Sequence, residues 1–100
     1  MVKHIILWKL NEELQGSQKE EVRIGIKKNL EGLCGKIPGL VSMKININPL
    51  SSSNVDVMMD STFEDEEALK IYQKHPEHVK VADTFVRPYT VARSCMDYEI

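Results

Sequence analysis

Four stretches of this chain alternate in polarity with a period of two, two others repeat every three to four residues, and their order leaves few folds open. The first stretch, Val2–Leu10, carries His4, Ile6, Trp8 and Leu10 on one face and Ile5 and Leu7 on the other, with Lys3 and Lys9 near its ends. Apolar character on both faces marks a central strand. After the polar turn from Asn11 to Gly16, the run Ser17-Gln18-Lys19-Glu20 reads as a capping box. Val22, Ile26, Leu30 and Leu33 follow at spacings of four, four and three, which is one face of a helix. Gly25 weakens that helix by about 1 kcal/mol relative to Ala. Gly32 or Gly35 supplies its end, and Pro38-Gly39 bars continuation.

Val41, Met43, Ile45 and Ile47 then alternate with Ser42, Lys44, Asn46 and Asn48, the pattern of a half-buried strand. Pro49 to Asn54, with three consecutive serines, is a hairpin loop, and the return strand runs from Val55 to Phe63. Asp65 is the cap of a second helix whose apolar positions are Ala68, Leu69, Ile71 and Tyr72. His75-Pro76 breaks it, because a residue before proline avoids helical geometry, and Pro76 suits the start of a further segment from Glu77 to Arg87. Pro88 ends that segment, and Val91 to Ile100 is the last strand.

The order is β-α-β-β-α-β in a single domain, residues 1–100. Two split βαβ units with right-handed crossovers give an α+β, ferredoxin-like fold: a four-stranded antiparallel sheet with the helices on one face. The more apolar strand faces (Ile6, Trp8, Met43, Ile45, Val57, Met59) belong under the helices. The opposite set (Ile5, Leu7, Met58, Met96, Tyr98, among Lys44, Asp56 and Asp60) is too apolar to stand bare. A chain of 11.4 kDa is expected to expose about 5,800 Å² when folded and to bury roughly 65% of its unfolded surface, which makes a thin core. Packing the helix-free face on a second copy resolves both problems, so a homodimer through that face is expected.

Other classes fall away. The longest apolar run, Ile5 to Trp8, is far short of the roughly 20 residues of a membrane span, and the N-terminus does not read as a signal peptide. Cys34 and Cys95 form no disulfide framework and have no His or Cys at zinc-like spacing, so both are expected to be reduced, buried thiols of a cytoplasmic protein. A net charge of −2, with lysines mixed among acids, offers no footprint for nucleic acid.

At this point the chain resembles the stress-responsive dimeric α/β-barrel (Dabb) family. The resemblance rests on Val2-Lys3-His4-Ile5-Ile6-Leu7, Ile37-Pro38-Gly39, Ser61-Thr62-Phe63-Glu64, Tyr72-Gln73-Lys74-His75-Pro76-Glu77-His78-Val79 and Asp97-Tyr98-Glu99-Ile100. It implies a homodimer whose two sheets make a barrel, with a ligand cleft between each sheet and its helices. The plant polyketide cyclases of that family use a tyrosine and a histidine of the same segment, which correspond here to Tyr72 and His78, and a pocket histidine corresponding to His4. This chain departs from them at Val57, where they carry a further histidine, and at Val22 and Ile26, where they carry aromatic residues. Cyclase activity therefore does not transfer with the resemblance.

Tyr72 and His78 are the candidate catalytic pair, since imidazole takes a proton near neutrality while a phenol polarises a carbonyl. His4, Ile6, Trp8, Met43, Val57, Met59 and Arg93 are the candidate ligand-binding residues, and parity places Arg93 on the helix-facing side where it could bind an anionic group. No metal site and no cofactor are expected: His4, His75 and His78 do not have zinc spacing. The reading is a homodimeric domain that binds a small apolar or aromatic molecule. A cyclase-like acid-base enzyme, or a stress-associated dimer without catalysis, are the alternatives.

Overall fold

The computed structural model describes residues 1–100. Strand β1 (Val2–Leu10) is followed by helix α1 (Gly16–Glu31), then by strands β2 (Leu40–Asn46) and β3 (Val57–Phe63). Helices α2 (Glu66–Lys74) and α3 (Pro76–Val81) come next, and α3 runs into a π-helical turn over Ala82–Val86 and a 3₁₀ turn over Arg87–Tyr89. Strand β4 (Thr90–Glu99) closes the chain. The sheet order is β2-β3-β1-β4 with every pairing antiparallel, the ferredoxin-like topology that the order of periodicities predicts.

Parity on β1 decides which face is core. Val2, His4, Ile6, Trp8 and Leu10 are buried, as are Val57, Met59, Ser61 and Phe63 opposite them on β3 and Met43 and Ile45 on β2. Ile26 and Leu30 of α1 and Ala68, Leu69 and Tyr72 of α2 close the core from the helix side. Ile71, expected among them, instead faces solvent. Gly39 lets the chain pass from α1 into β2 against α2. Its φ is +84°, and a β-carbon there would stand 2.5 Å from that of Ala68.

Several local expectations need correction. The capping box at Ser17 does not form: α1 starts two residues earlier with Gln15 at its N-cap and no side-chain cap, and Glu20 turns to Arg23 instead. The segment after Pro76 is not one regular helix, and Pro88 sits inside the 3₁₀ turn. The cap at Asp65 does form, accepting from the Ala68 N–H at 2.8 Å. Cys34 and Cys95, expected buried, are both exposed. Cys34 lies in the turn after α1, and Cys95 lies on β4, an edge strand over which the helices do not reach. From Val91 to Ile100 every residue is exposed on both faces.

Candidate functional site

The break at His75-Pro76 positions the site. His75 has an extended ψ of 133°, and its Nδ1 accepts from the Glu77 N–H at 3.1 Å, so this histidine caps α3 and is spent on the corner. The turn it makes swings His78 back over Tyr72, with ring centroids 4.1 Å apart. Tyr72 is completely buried between His78, Phe63 at 4.9 Å and His4 at 6.3 Å. Its hydroxyl has no hydrogen-bond partner in the protein. Burial pushes the phenol far above its usual range, with Cys34 adding to the shift and Arg93 opposing it, so it stays a donor.

His78 is partly buried, and its Nδ1–H donates to the Gln73 carbonyl at 3.3 Å. Desolvation holds its pKa below the ordinary value, with the neighbouring Arg87, His4 and Arg93 acting the same way and the Gln73 bond opposing. Near neutral pH it is therefore a neutral imidazole whose Nε2 can accept a proton. His4 on β1 is buried, its backbone carbonyl accepts from Ser61 Oγ at 2.7 Å, and its Nδ1 bonds Asp97 on the neighbouring strand. A carboxylate can only accept, so His4 carries the Nδ1 proton.

These groups meet at a cavity of about 110 Å³ between the sheet and the α2–α3 corner. His4, Ile6, Trp8, Met59, Tyr72, His78 and Arg93 line it. Met43 and Val57 do not: both are core residues, Met43 on a strand separated from β1 by β3 and Val57 covered opposite Trp8. Residues the sequence reading did not single out are Leu30, Gln73, Ala82, Val86, Arg87 and Thr90. Leu30 was legible as part of the inner face of α1, whereas Arg87 and Thr90 reach the mouth only through the irregular turns before β4. A wider, open hollow of about 420 Å³ runs along α2 and the end of β4 past Leu69, Lys70, Gln73, Asp97 and Tyr98. No buried polar group points to it as a site.

A four-stranded antiparallel sheet, helices on one face and a small polar-mouthed cavity beneath a broken helix define a ferredoxin-like α+β domain of the α/β-barrel type. The chain belongs to the Dabb family, the stress responsive A/B barrel domain, whose model matches residues 2–100. It is similar to a dimeric protein of unknown function with a ferredoxin-like fold from Bacteroides fragilis, at 29% identity and a TM-score of 0.92 over 99% of this chain and 95% of that one. A dimeric ferredoxin-like protein from Thermobifida fusca is 23% identical, with a TM-score of 0.78 over 99% and 90% of the two chains. The fold is also shared with a hydroxynitrile lyase from Passiflora edulis, at 17% identity and a TM-score of 0.74 over 99% and 92%. No curated protein matches the chain. No helix is long and apolar enough to cross a membrane.

Proposed function

We propose that this protein is a homodimeric Dabb domain that binds a small molecule through a carbonyl or carboxylate head in the cavity at Tyr72. The observation that carries the reading is the Tyr72 hydroxyl, buried at the cavity without a protein partner, because buried polar groups nearly always have one. Size restricts the occupant. A roughly 150 Å³ apolar cavity holds benzene, so 110 Å³ takes on the order of four or five non-hydrogen atoms. The expected apolar or aromatic ligand is therefore narrowed to a molecule that inserts a small polar head. Arg93 in the lining favours a negative charge there, while Arg87, the other cationic lining residue, is already paired with Asp83.

Tyr72→Phe tests this directly. Removing a hydroxyl that has no protein partner costs less than about 1 kcal/mol of stability. The same change lowers affinity for small monocarboxylates or ketones, read by NMR titration, at least about tenfold, or 1.4 kcal/mol. Arg93→Ala weakens the carboxylates and spares the ketones. Unchanged affinity in Tyr72→Phe would sink the reading.

A second reading, acid-base chemistry, is favoured by the opposite character of the two neighbours. His78 is held neutral as an acceptor and Tyr72 is held protonated as a donor. With a carbonyl oxygen on the Tyr72 hydroxyl, His78 Nε2 would take the proton from the adjacent carbon and return it. Deuterium exchange into the α-position of a small bound ketone, absent in His78→Gln, is the expected outcome. No exchange above the solvent rate leaves a binding protein.

A further inference from the structure

One cluster lies outside that chemistry. His4 and Asp97 face each other across the β1–β4 ladder, and Cys95 stands two residues before Asp97, on the same face of β4. His4 Nδ1, Cys95 Sγ and a carboxylate oxygen of Asp97 all lie within 4.8 Å of one another. Cys95 Sγ is 3.8 Å from His4 Nδ1 and 3.5 Å from Asp97 Oδ1.

From this juxtaposition we propose that His4, Cys95 and Asp97 form a binding site for a zinc-class divalent metal ion, on the edge of the sheet.

The distances are those a tetrahedral ion requires. Bonds of about 2.3 Å to sulfur and about 2.1 Å to nitrogen or oxygen place the sulfur about 3.6 Å from either light atom, and nitrogen and oxygen about 3.4 Å apart. Both sulfur edges already fall within a few tenths of an ångström of that. The third edge is contracted because His4 and Asp97 hydrogen-bond to each other. It opens by a rotation of the Asp97 side chain, which is free to move because Asp97 is exposed. An imidazole, a thiolate and a carboxylate together suit a zinc-class ion and not Mg²⁺ or Ca²⁺, which take oxygen ligands. Three protein ligands leave a fourth position open, and the exposed edge strand gives the ion a path in.

The protons balance simply. With the His4 ring in its neutral form, binding M²⁺ releases one proton, from the Cys95 thiol, as the ring's Nδ1 proton moves to Nε2. His4 also lines the cavity, so occupancy of the metal site sets whether its remaining ring nitrogen donates or accepts.

The test is titration of the full chain, reduced and metal-free, with Co²⁺ alone. One Co²⁺ per chain is expected, with a thiolate-to-cobalt charge-transfer band and the intense visible bands of four-coordinate cobalt. Because Cys95 and Asp97 are exposed, Cys95→Ser and Asp97→Asn keep the fold. Cys95→Ser loses the charge-transfer band, and each variant binds at least about tenfold more weakly. Cys34→Ser, which alters the other thiol, keeps the spectrum. Zn²⁺ displaces the cobalt, and Mg²⁺ in excess does not. The proposal is overturned by no saturable binding, by a band that survives Cys95→Ser or disappears in Cys34→Ser, or by displacement with Mg²⁺. The readout requires no ligand in the Tyr72 cavity, so it succeeds or fails independently of that reading.

Discussion

Two glycines of this chain respond in opposite ways to the same added methyl group. At Gly39 the backbone is left-handed, with φ +84°, and a β-carbon would overlap that of Ala68 at 2.5 Å. Gly39→Ala is therefore expected to cost about 2–4 kcal/mol, from backbone strain and a clash with a packed helix. At Gly25, inside α1, the added carbon meets only Phe85 Cδ1, at an ordinary 3.7 Å, and Gly25→Ala gains about 0.5–1 kcal/mol of helix stability. Denaturant midpoints at unchanged m-value check both, and a Gly39→Ala midpoint equal to the parent's would refute the close approach. The Pro38-Gly39 stop was legible as a chain break, but the contact with Ala68 was not, because it joins residues 29 positions apart. The same holds at the site. Tyr72 and His78 lie in one segment that the family resemblance singles out, whereas His4, Cys95 and Asp97 meet only through the strand register. No local spacing rule finds them.

Alternation located the strands because burial follows parity wherever a helix lies over the sheet. β1 obeys from Val2 to Leu10, and β3 from Val57 to Phe63 with only Thr62 out of step. β4 fails because parity says which way a side chain points, not whether anything covers it. Cys95 and Arg93 do point to the helix side, opposite Ile6 and Trp8, yet remain exposed. The ties between layers carry a testable pH dependence. Glu31, at the end of α1, accepts from the Ile45 N–H of β2 at 2.9 Å and from Lys27 at 3.0 Å. Desolvation pushes its pKa up, but those bonds and the charge on Lys27 and Lys44 outweigh it, so the net shift is downward. The unfolded chain then takes up that proton first, and stability is lost as the pH falls below the ordinary value of 4.5. His78 is also shifted down, so the unfolded chain again protonates first, and a separate loss begins as the pH falls below about 6.5. Stability against pH should show both steps, with His78→Gln removing the upper one and Glu31→Gln the lower. A profile flat between neutrality and pH 5 would contradict the desolvation of His78.

The molecule exposes 6199 Å², somewhat more than the roughly 5,800 Å² expected of a compact monomer of its mass. Much of what a monomer leaves uncovered is one surface. Across the helix-free face, the register sets Leu7 between Met58 and Ser94, and Ile5 between Asp60 and Met96, with Tyr98 flanking Lys3. Met96 and Tyr98 are exposed, and Lys3 pairs with Asp60 at 2.8 Å, so this largely apolar surface carries one ion pair closed within the chain, with Lys44 exposed opposite Asp60. Four strands about 4.8 Å apart and some eight residues long project about 500 Å². With side-chain relief, that approaches the roughly 800 Å² per partner of a stable interface. A second copy of the same face suits it, since a two-fold contact needs only a self-complementary surface. Light scattering at micromolar concentration is expected to give twice the 11.4 kDa of one chain. Met96→Glu, at a position exposed in the single chain, should keep the fold and shift the mass toward the monomer. Ile71→Glu, also at an exposed position but on the outer surface of α2, should leave the mass doubled. A parent protein at the single-chain mass, or dissociation by Ile71→Glu and not by Met96→Glu, would place the contact elsewhere and leave the bare sheet face without an explanation.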